Sequence, residues 1–255
     1  MELNGTKSAI ITGGASGLGA AVARRLAAAS VQVSIFDTNA DQGRVFARQI
    51  GGRFYAVDVS DAASVSQGMA AVKSAQGGLD ILVNCAGIGP AAKTVSRGAP
   101  HDPALFIKVI GINLTGSFIC GSQAAALMQE RPADSPDGER GVIVHTASVA
   151  AYEGQMGQAA YAASKGGIVG MTLPMARDLA ASGIRVCAIA PGLFLTPLLA
   201  GLPEDVQSSL GQQVPFPPRL GDPDEFAATA CHIMENRMLN GEVIRLDGAI
   251  RMAPR

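Results

Sequence analysis

The sequence predicts an α/β fold, a single domain built on a doubly wound parallel sheet of about seven strands with helices on both faces. Three observations predict it. Short runs rich in Val and Ile alternate with Ala-rich segments for most of the length, and strands covered on both faces read as near-continuous apolar runs. The first of these runs passes directly into a glycine-rich turn, TGGASGLG at Thr12–Gly19. The chain has 255 residues, within the range of single α/β domains, and its 48% hydrophobic against 16% charged residues suit one large core.

In chain order, the Val- and Ile-rich runs place strands at Ser8–Thr12, Val31–Asp37, Arg53–Val59, Leu79–Cys85, Gly141–Ala147, Ile184–Ala190 and Glu242–Leu246. Helices follow Gly17, Asn39, Asp61, Pro103, Gly157 and Asp222. Right-handed crossovers between such units put a ligand crevice at the carboxyl ends of the strands. Two polar stretches, Gly89–Asp102 and Gln129–Arg140, read as loops because the alternation resumes directly after each. A third, Pro191–Leu220, holds six prolines and is a candidate substrate lid. The division expected is a cofactor half over about 1–112 and a catalytic and substrate half over 113–255, with the lid over 191–220 and no internal repeat.

Twenty basic and 21 acidic residues nearly cancel. No basic stripe argues for nucleic acid and no block of like charge for a tail. Cys85, Cys120, Cys187 and Cys231 are scattered without a CxxC pair, so neither a metal site nor a disulfide framework is expected. The opening residues lack a signal-peptide pattern, and no uninterrupted apolar stretch is long enough to cross a bilayer. The expectation is a cytoplasmic protein with no membrane or nucleic-acid partner.

Gly13, Gly17 and Gly19 between a strand and a helix supply the positive φ and the close backbone approach that a pyrophosphate requires. The phosphates would sit at the positive end of the helix that follows. Asp37 closes the second strand, where a carboxylate can accept both ribose hydroxyls of an adenosine and repel a 2′-phosphate. Thr38 rather than Arg comes next, and Ala15 and Ser16 add no cation, so NAD is expected over NADP. A turn or helix-cap Asp is the plainer alternative. Asp58-Val59 closes the third strand, where an acid can meet the adenine amino group. Asn84, Cys85, Ala86 and Gly87 close the fourth; the small residues suit cofactor approach, while Asn84 serves equally well to tie neighbouring strands.

Tyr161 and Lys165 lie at i and i+4, on one face of a helix, thirteen residues after Ser148. A phenol near pKa 10 is a poor acid or base at neutral pH unless a cation favours its phenolate, and Lys165 is placed to be that cation. The set reads as a nicotinamide-dependent alcohol dehydrogenase or carbonyl reductase. His145, inside the fifth strand, reads as a packed histidine with no assigned role.

Along nearly its whole length the chain resembles the short-chain dehydrogenase/reductase family. TGGASGLG, Asp37, NCAG, Asn113 in GINLTG, Ser148, YAASK and Pro191-Gly192 occur in the family's order. The resemblance implies a Rossmann-type fold, Tyr161 as general acid/base, Ser148 polarising the substrate carbonyl, Lys165 holding the nicotinamide ribose and lowering the tyrosine pKa, and Asn113 holding a relay water. It also implies cofactor contacts from Gly13, Ser16, Gly17, Leu18, Gly19, Asp37, Asp58, Val59, Asn84, Ala86, Gly87, Tyr161, Lys165, Pro191, Gly192, Leu193 and Thr196. The C-terminal half is similar to the type II 3-hydroxyacyl-CoA dehydrogenases in SVAAYEGQMGQAAYAASKGGIVGM, APGLFLTPLL and LNGEVIRLDGAIRM. This closer resemblance implies an NAD-dependent enzyme of fatty acid metabolism, a homotetramer, acting on an acyl-CoA thioester. Ser148, Gln155, Gln158, Tyr161, Phe194 and Leu195 are the substrate candidates. Lys93, Arg97 and Arg219 lie in rim loops where a CoA phosphate could rest or where they are simply solvated. A dehydrogenase for a hydroxysteroid or another bulky secondary alcohol shares the same catalytic set, and a cofactor-binding scaffold with incidental activity is a reading from another class.

Overall fold

The computed structural model describes every residue except Asp134, Leu202 and Arg255, and the side chain of Leu198. Its chain order is β1 (Ser8–Thr12), α1 (Gly17–Ala28), β2 (Gln32–Asp37), α2 (Ala40–Gln49), β3 (Arg53–Ala56), α3 (Ala62–Gln76) and β4 (Ile81–Asn84). A short hairpin follows, β5 (Val95–Ser96) and β6 (Ala99–Pro100), then α4 (Pro103–Ile110), a π-helical turn (Gly111–Thr115) and α5 (Gly116–Gln129). The remainder is β7 (Gly141–Thr146), α6 (Ala159–Leu179), β8 (Ile184–Pro191), the lid helices α7 (Pro197–Ala200) and α8 (Glu204–Gly211), α9 (Pro223–Glu235) and β9 (Val243–Leu246).

Seven strands form one parallel sheet in the order β3-β2-β1-β4-β7-β8-β9. Every residue of β1, β4, β7 and β8 is buried, which is why these segments carry almost no polar alternation. One core cluster fills the face covered by α1 and α9, and a second fills the face under α3, α5 and α6. Helix starts are set by short polar side chains. Asn39, Asp61, Asp102 and Asp222 each accept a backbone N–H of the first turn, and Asp222 forms a full capping box with Glu225.

The seven predicted strands and six predicted helices are all present, with ends that move by a few residues. The largest difference is at β3, which stops at Ala56; Asp58 and Val59 therefore stand in the loop beyond it. The Gly89–Asp102 loop contains the small β5-β6 hairpin, in which Arg97 adopts positive φ at the turn. The continuous helix Pro103–Gln129 is by length and composition apolar enough to span a bilayer. Here it packs on α3 and α6 and carries the buried polar Asn113 at its centre.

Candidate active site

Because β1 pairs with β2 on one side and with β4 on the other, the winding reverses at β1, and a crevice opens beyond the carboxyl ends of the strands. A cavity of about 800 Å³ occupies it, within the usual range for small-molecule sites. The glycine turn and the ends of β2 to β4 form one half of its lining, while residues 146–161 and the lid form the other.

The cofactor half is shaped by backbone proximity. A Cβ on Gly13, whose φ is +61°, would lie 2.7 Å from the Ala86 amide nitrogen, and one on Gly19 would strike the Gly13 carbonyl oxygen. The turn is thus compressed between α1 and the segment after β4. The first turn of α1 carries no carboxylate, and the Ser16 hydroxyl makes no capping bond among the described residues. The positive end of the helix therefore faces the cavity with its own N–H groups. Asp37 accepts from the amides of Ala15 (3.1 Å) and Asn39 (3.0 Å), one on each carboxylate oxygen. Each oxygen keeps a second acceptor site, so the turn-fixing role and a ribose-binding role are compatible. Asp58 and Val59 line the same wall, with Asp58 held by the Ser60 amide at 2.9 Å.

Asn84 lies behind that wall rather than in it. Its amide donates to the Ser117 carbonyl (3.2 Å) and meets His145 Nδ1 (3.1 Å), while its oxygen accepts from Thr12 (3.3 Å). Three strands and α5 are tied together at this one side chain. His145 is fully buried, burial pushes its pKa down to about 4, and its Nε2 has no partner among the described residues. It is neutral and packed.

On the catalytic side, Ser148 follows β7 and caps the short 3₁₀ turn Val149–Ala151, its Oγ accepting from the Ala150 amide at 3.1 Å. The Ser148 hydroxyl acts on the Tyr161 phenol, favouring its ionised form. Lys165, one turn further along α6, donates from Nζ to the Thr146 carbonyl at 2.6 Å and stands 5.7 Å from the centre of the Tyr161 ring. Burial pushes the Lys165 pKa down to about 8. Burial also raises the Tyr161 pKa, against a smaller opposing effect of the Ser148 hydroxyl. Burial thus shifts the phenol in the direction opposite to the lowering expected from Lys165, whose ammonium is engaged by the Thr146 carbonyl. The half-buried Cys85 thiol, also on the cavity lining, is pushed up to about 11 by desolvation, which leaves it unreactive.

The π-helical turn explains the position of Asn113. An extra residue per turn swings a side chain off the regular face. Asn113 then clamps the loop after β4, accepting from the Ile88 amide and donating to the Ile88 carbonyl (both 2.8 Å) and to Ser164 (3.0 Å). Its oxygen and Lys165 Nζ lie 3.2 and 3.9 Å from where a Cβ on Gly87 would stand.

The structure brings all the expected cofactor positions except Asn84 to the cavity lining, together with Ser148, Gln155, Gln158 and Phe194. Leu195 is not brought there. Its amide is pinned to the Gly221 carbonyl (2.8 Å), and its side chain faces a second groove along α1 and α2; Leu193 and Leu199 take its place. Arg219 is engaged by Glu225 through two bonds of 2.8 and 2.7 Å. Met252 also lines the cavity. Nothing in the local sequence points to it, because the contact depends on where the chain runs after β9.

The residues fit a nicotinamide dinucleotide: a helix end free of carboxylates, a turn with no room for a Cβ at Gly13 or Gly19, and an acceptor closing β2. A hydroxyl pair backed by a buried amine at the far end of the same crevice defines a dinucleotide-dependent oxidoreductase. The profile of the family described as short chain dehydrogenase matches residues 7–207, and the chain belongs to that family. It is 52% identical over 250 residues to the 3-hydroxyacyl-CoA dehydrogenase type-2 of Homo sapiens, with 96% of this chain and 95% of that one covered. It is 50% identical over 249 residues to the protein of the same name from Drosophila melanogaster, covering 96% and 97%. The crystal structure of 3-hydroxyacyl-CoA dehydrogenase type-2 from Mycobacterium avium superposes with a TM-score of 0.93 at 40% identity, each chain fully covered. A more distant relative, 32% identical over 256 residues with 96% of this chain and 97% of that one covered, is the 3alpha-hydroxysteroid dehydrogenase of Mediterraneibacter gnavus.

Proposed function

We propose that this enzyme interconverts L-3-hydroxyacyl-CoA and 3-oxoacyl-CoA thioesters with NAD. The observation that carries the substrate class is Gln158. Its side chain lines the cavity between Ser148 and Tyr161, and its oxygen is taken by the Gln155 amide at 2.9 Å. That leaves the NH₂ end to donate, and a 3-oxoacyl thioester offers a second carbonyl beside the reacting one. The names of the relatives at about half identity support the same reading. NAD is preferred because Asp37 faces the cavity and no Arg adjoins it.

The bound nicotinamide supplies or accepts the hydride. In reduction, Tyr161 gives its hydroxyl proton to the carbonyl oxygen while Ser148 donates a hydrogen bond to it; in oxidation the proton returns to Tyr161. Lys165 holds the ribose side of the crevice with its charge, and Asn113 fixes the loop past which that charge meets solvent, at the place where a relay water would sit.

Acetoacetyl-CoA should be reduced with NADH at a higher kcat/KM than any steroid ketone measured beside it, and with NADPH far less efficiently. Gln158→Ala should weaken the thioester reaction more than the steroid one, and Asp37→Ala should narrow the gap between cofactors. A steroid with clearly higher kcat/KM than every short thioester would select the hydroxysteroid reading, which the apolar lid residues Leu193, Phe194 and Leu199 also suit. Comparable wild-type efficiency with NADPH would remove the cofactor assignment.

A homotetramer is part of the same proposal. Ile107, Phe118 and Leu173 stand 68%, 51% and 43% exposed on α4, α5 and α6, large apolar side chains that a subunit contact would cover. Light scattering at micromolar concentration should give the mass of four chains, and a monomer would exclude it.

A further inference from the structure

After β9 the chain does not leave the molecule but is laid across the loop that joins Ser148 to Tyr161. Gly248 and Ala249 both take positive φ, +58° and +66°. Asp247 closes the turn by accepting from the Ala249 amide at 3.0 Å, and its carbonyl accepts from the Ile250 amide at 3.1 Å. An alanine in the left-handed region is held there by its surroundings. Ile250 is then buried.

Beyond Ile250, two successive residues are fastened to the loop, and the Met252 amide before them helps hold the Glu153 carboxyl below its usual pKa. The Ala253 carbonyl accepts from Gln155 Nε2 at 3.1 Å, and the Pro254 carbonyl accepts from the Met156 amide at 3.0 Å. Glu153 is itself gripped in a bidentate pair by Arg245 of β9, at 2.8 and 2.9 Å, the strongest ordinary geometry for a carboxylate. Arg245 continues to Asp247 at 2.7 Å, so strand, tail and loop form one clamp. The Gln155 amide is spent on this clamp, and the side chain that the clamp delivers to the cavity is Met252.

We propose that Met252, presented by this C-terminal strap, is the wall of the substrate cavity that sets the size of the group carried beyond the reacting carbonyl. An unbranched thioether fills irregular space and adapts to what lies against it, which suits a wall touching acyl groups. This rests on the cavity being a carbonyl-reducing site, and the two can be tested apart.

The experiment compares wild type with Met252→Ala, Met252→Leu and Met252→Phe on two series: straight-chain 3-oxoacyl-CoA thioesters from four to ten carbons, and cyclic ketones from cyclohexanone to a 3-ketosteroid. On whichever series the wild type reduces, Met252→Ala should raise the kcat/KM ratio of large to small members by about 10-fold or more, the effect of roughly one methylene of pocket space. Met252→Phe should lower that ratio, Met252→Leu should leave it near wild type, and KM for NADH should stay constant in all three. Opposite shifts in Ala and Phe cannot come from general destabilisation. A size profile that is unmoved, or that falls uniformly in both variants, overturns the proposal. Preference of the wild type for cyclic ketones overturns the thioester reading alone, with Met252 then judged on the ketone series. No turnover of either series by the wild type overturns both.

Discussion

Tyr161→Phe should lower kcat by about 10²-fold or more in both directions, the usual share of a positioned acid or base, while NADH binding and thermal stability stay near wild type. The ring remains and only the hydroxyl goes, so packing is preserved. The pH dependence should carry the signature of the buried phenol. Burial raises its pKa above the ordinary 10, so the protonated acid that reduction needs persists as pH climbs from 6 to 10. Oxidation needs the phenolate and should quicken over that same climb. Steady-state rates in both directions from pH 6 to 10, for wild type and variant, check this. Near wild-type turnover of the Phe variant, or an oxidation rate that falls with rising pH, would reject Tyr161 as the proton carrier.

Which parts of this site could be read from the chain follows from how local each cause is. The glycine turn, Asp37 and the Ser148, Tyr161 and Lys165 set depend on spacings within one strand–turn–helix or one helix face, and sequence shows spacings. β7 and β8 are buried on both faces, so their apolar runs marked them without ambiguity. The early end of β3 at Ala56 is hidden in the sequence because Val57 and Val59 are as apolar as a strand, yet they pack in the core beneath the crevice and line it. Leu195 and Phe194 looked equivalent as lid residues; the pairing of the lid with Gly221 decides that one packs inward and the other faces a different groove. Met252 was invisible, since its place depends on a left-handed turn at Gly248-Ala249 and a clamp between residues nearly a hundred positions apart. The direction of the Tyr161 shift is not legible for a further reason. A pKa depends on what surrounds the group, and sequence spacing shows the neighbouring charge but not the depth of burial that sets the direction.

Lys165→Met should give an enzyme that is nearly inactive and, at neutral pH, more stable than wild type. The activity falls because the side chain lost is the cation proposed to hold the cofactor ribose; NADH affinity should drop by about 10-fold or more, in line with losing a charged hydrogen bond, and kcat by a comparable or larger factor. The stability rises because an ammonium with 5% of its surface exposed is expensive to keep charged. Its pKa is about 8 in the folded chain against an ordinary 10.5, so the unfolded chain binds more protons between these values. Wild-type stability therefore increases as pH rises from 8 to 10.5, and the full penalty, of order 3 kcal/mol, is present below pH 8. Removing the amine also strands the Thr146 carbonyl that it serves at 2.6 Å, which costs about 1–3 kcal/mol. Met fills most of the same volume, so the net expected at pH 7 is a gain of about 1 kcal/mol, or roughly 2–4 °C in Tm for a domain of this size. The gain should shrink and reverse as pH approaches 10, where the wild-type lysine folds uncharged and keeps its bond to Thr146. Urea unfolding of both proteins at pH 7 and pH 10 measures it. A variant less stable than wild type at pH 7, or a difference that does not change with pH, would mean that Lys165 is held charged at no cost, and that its low pKa is not what the catalytic crevice is built around.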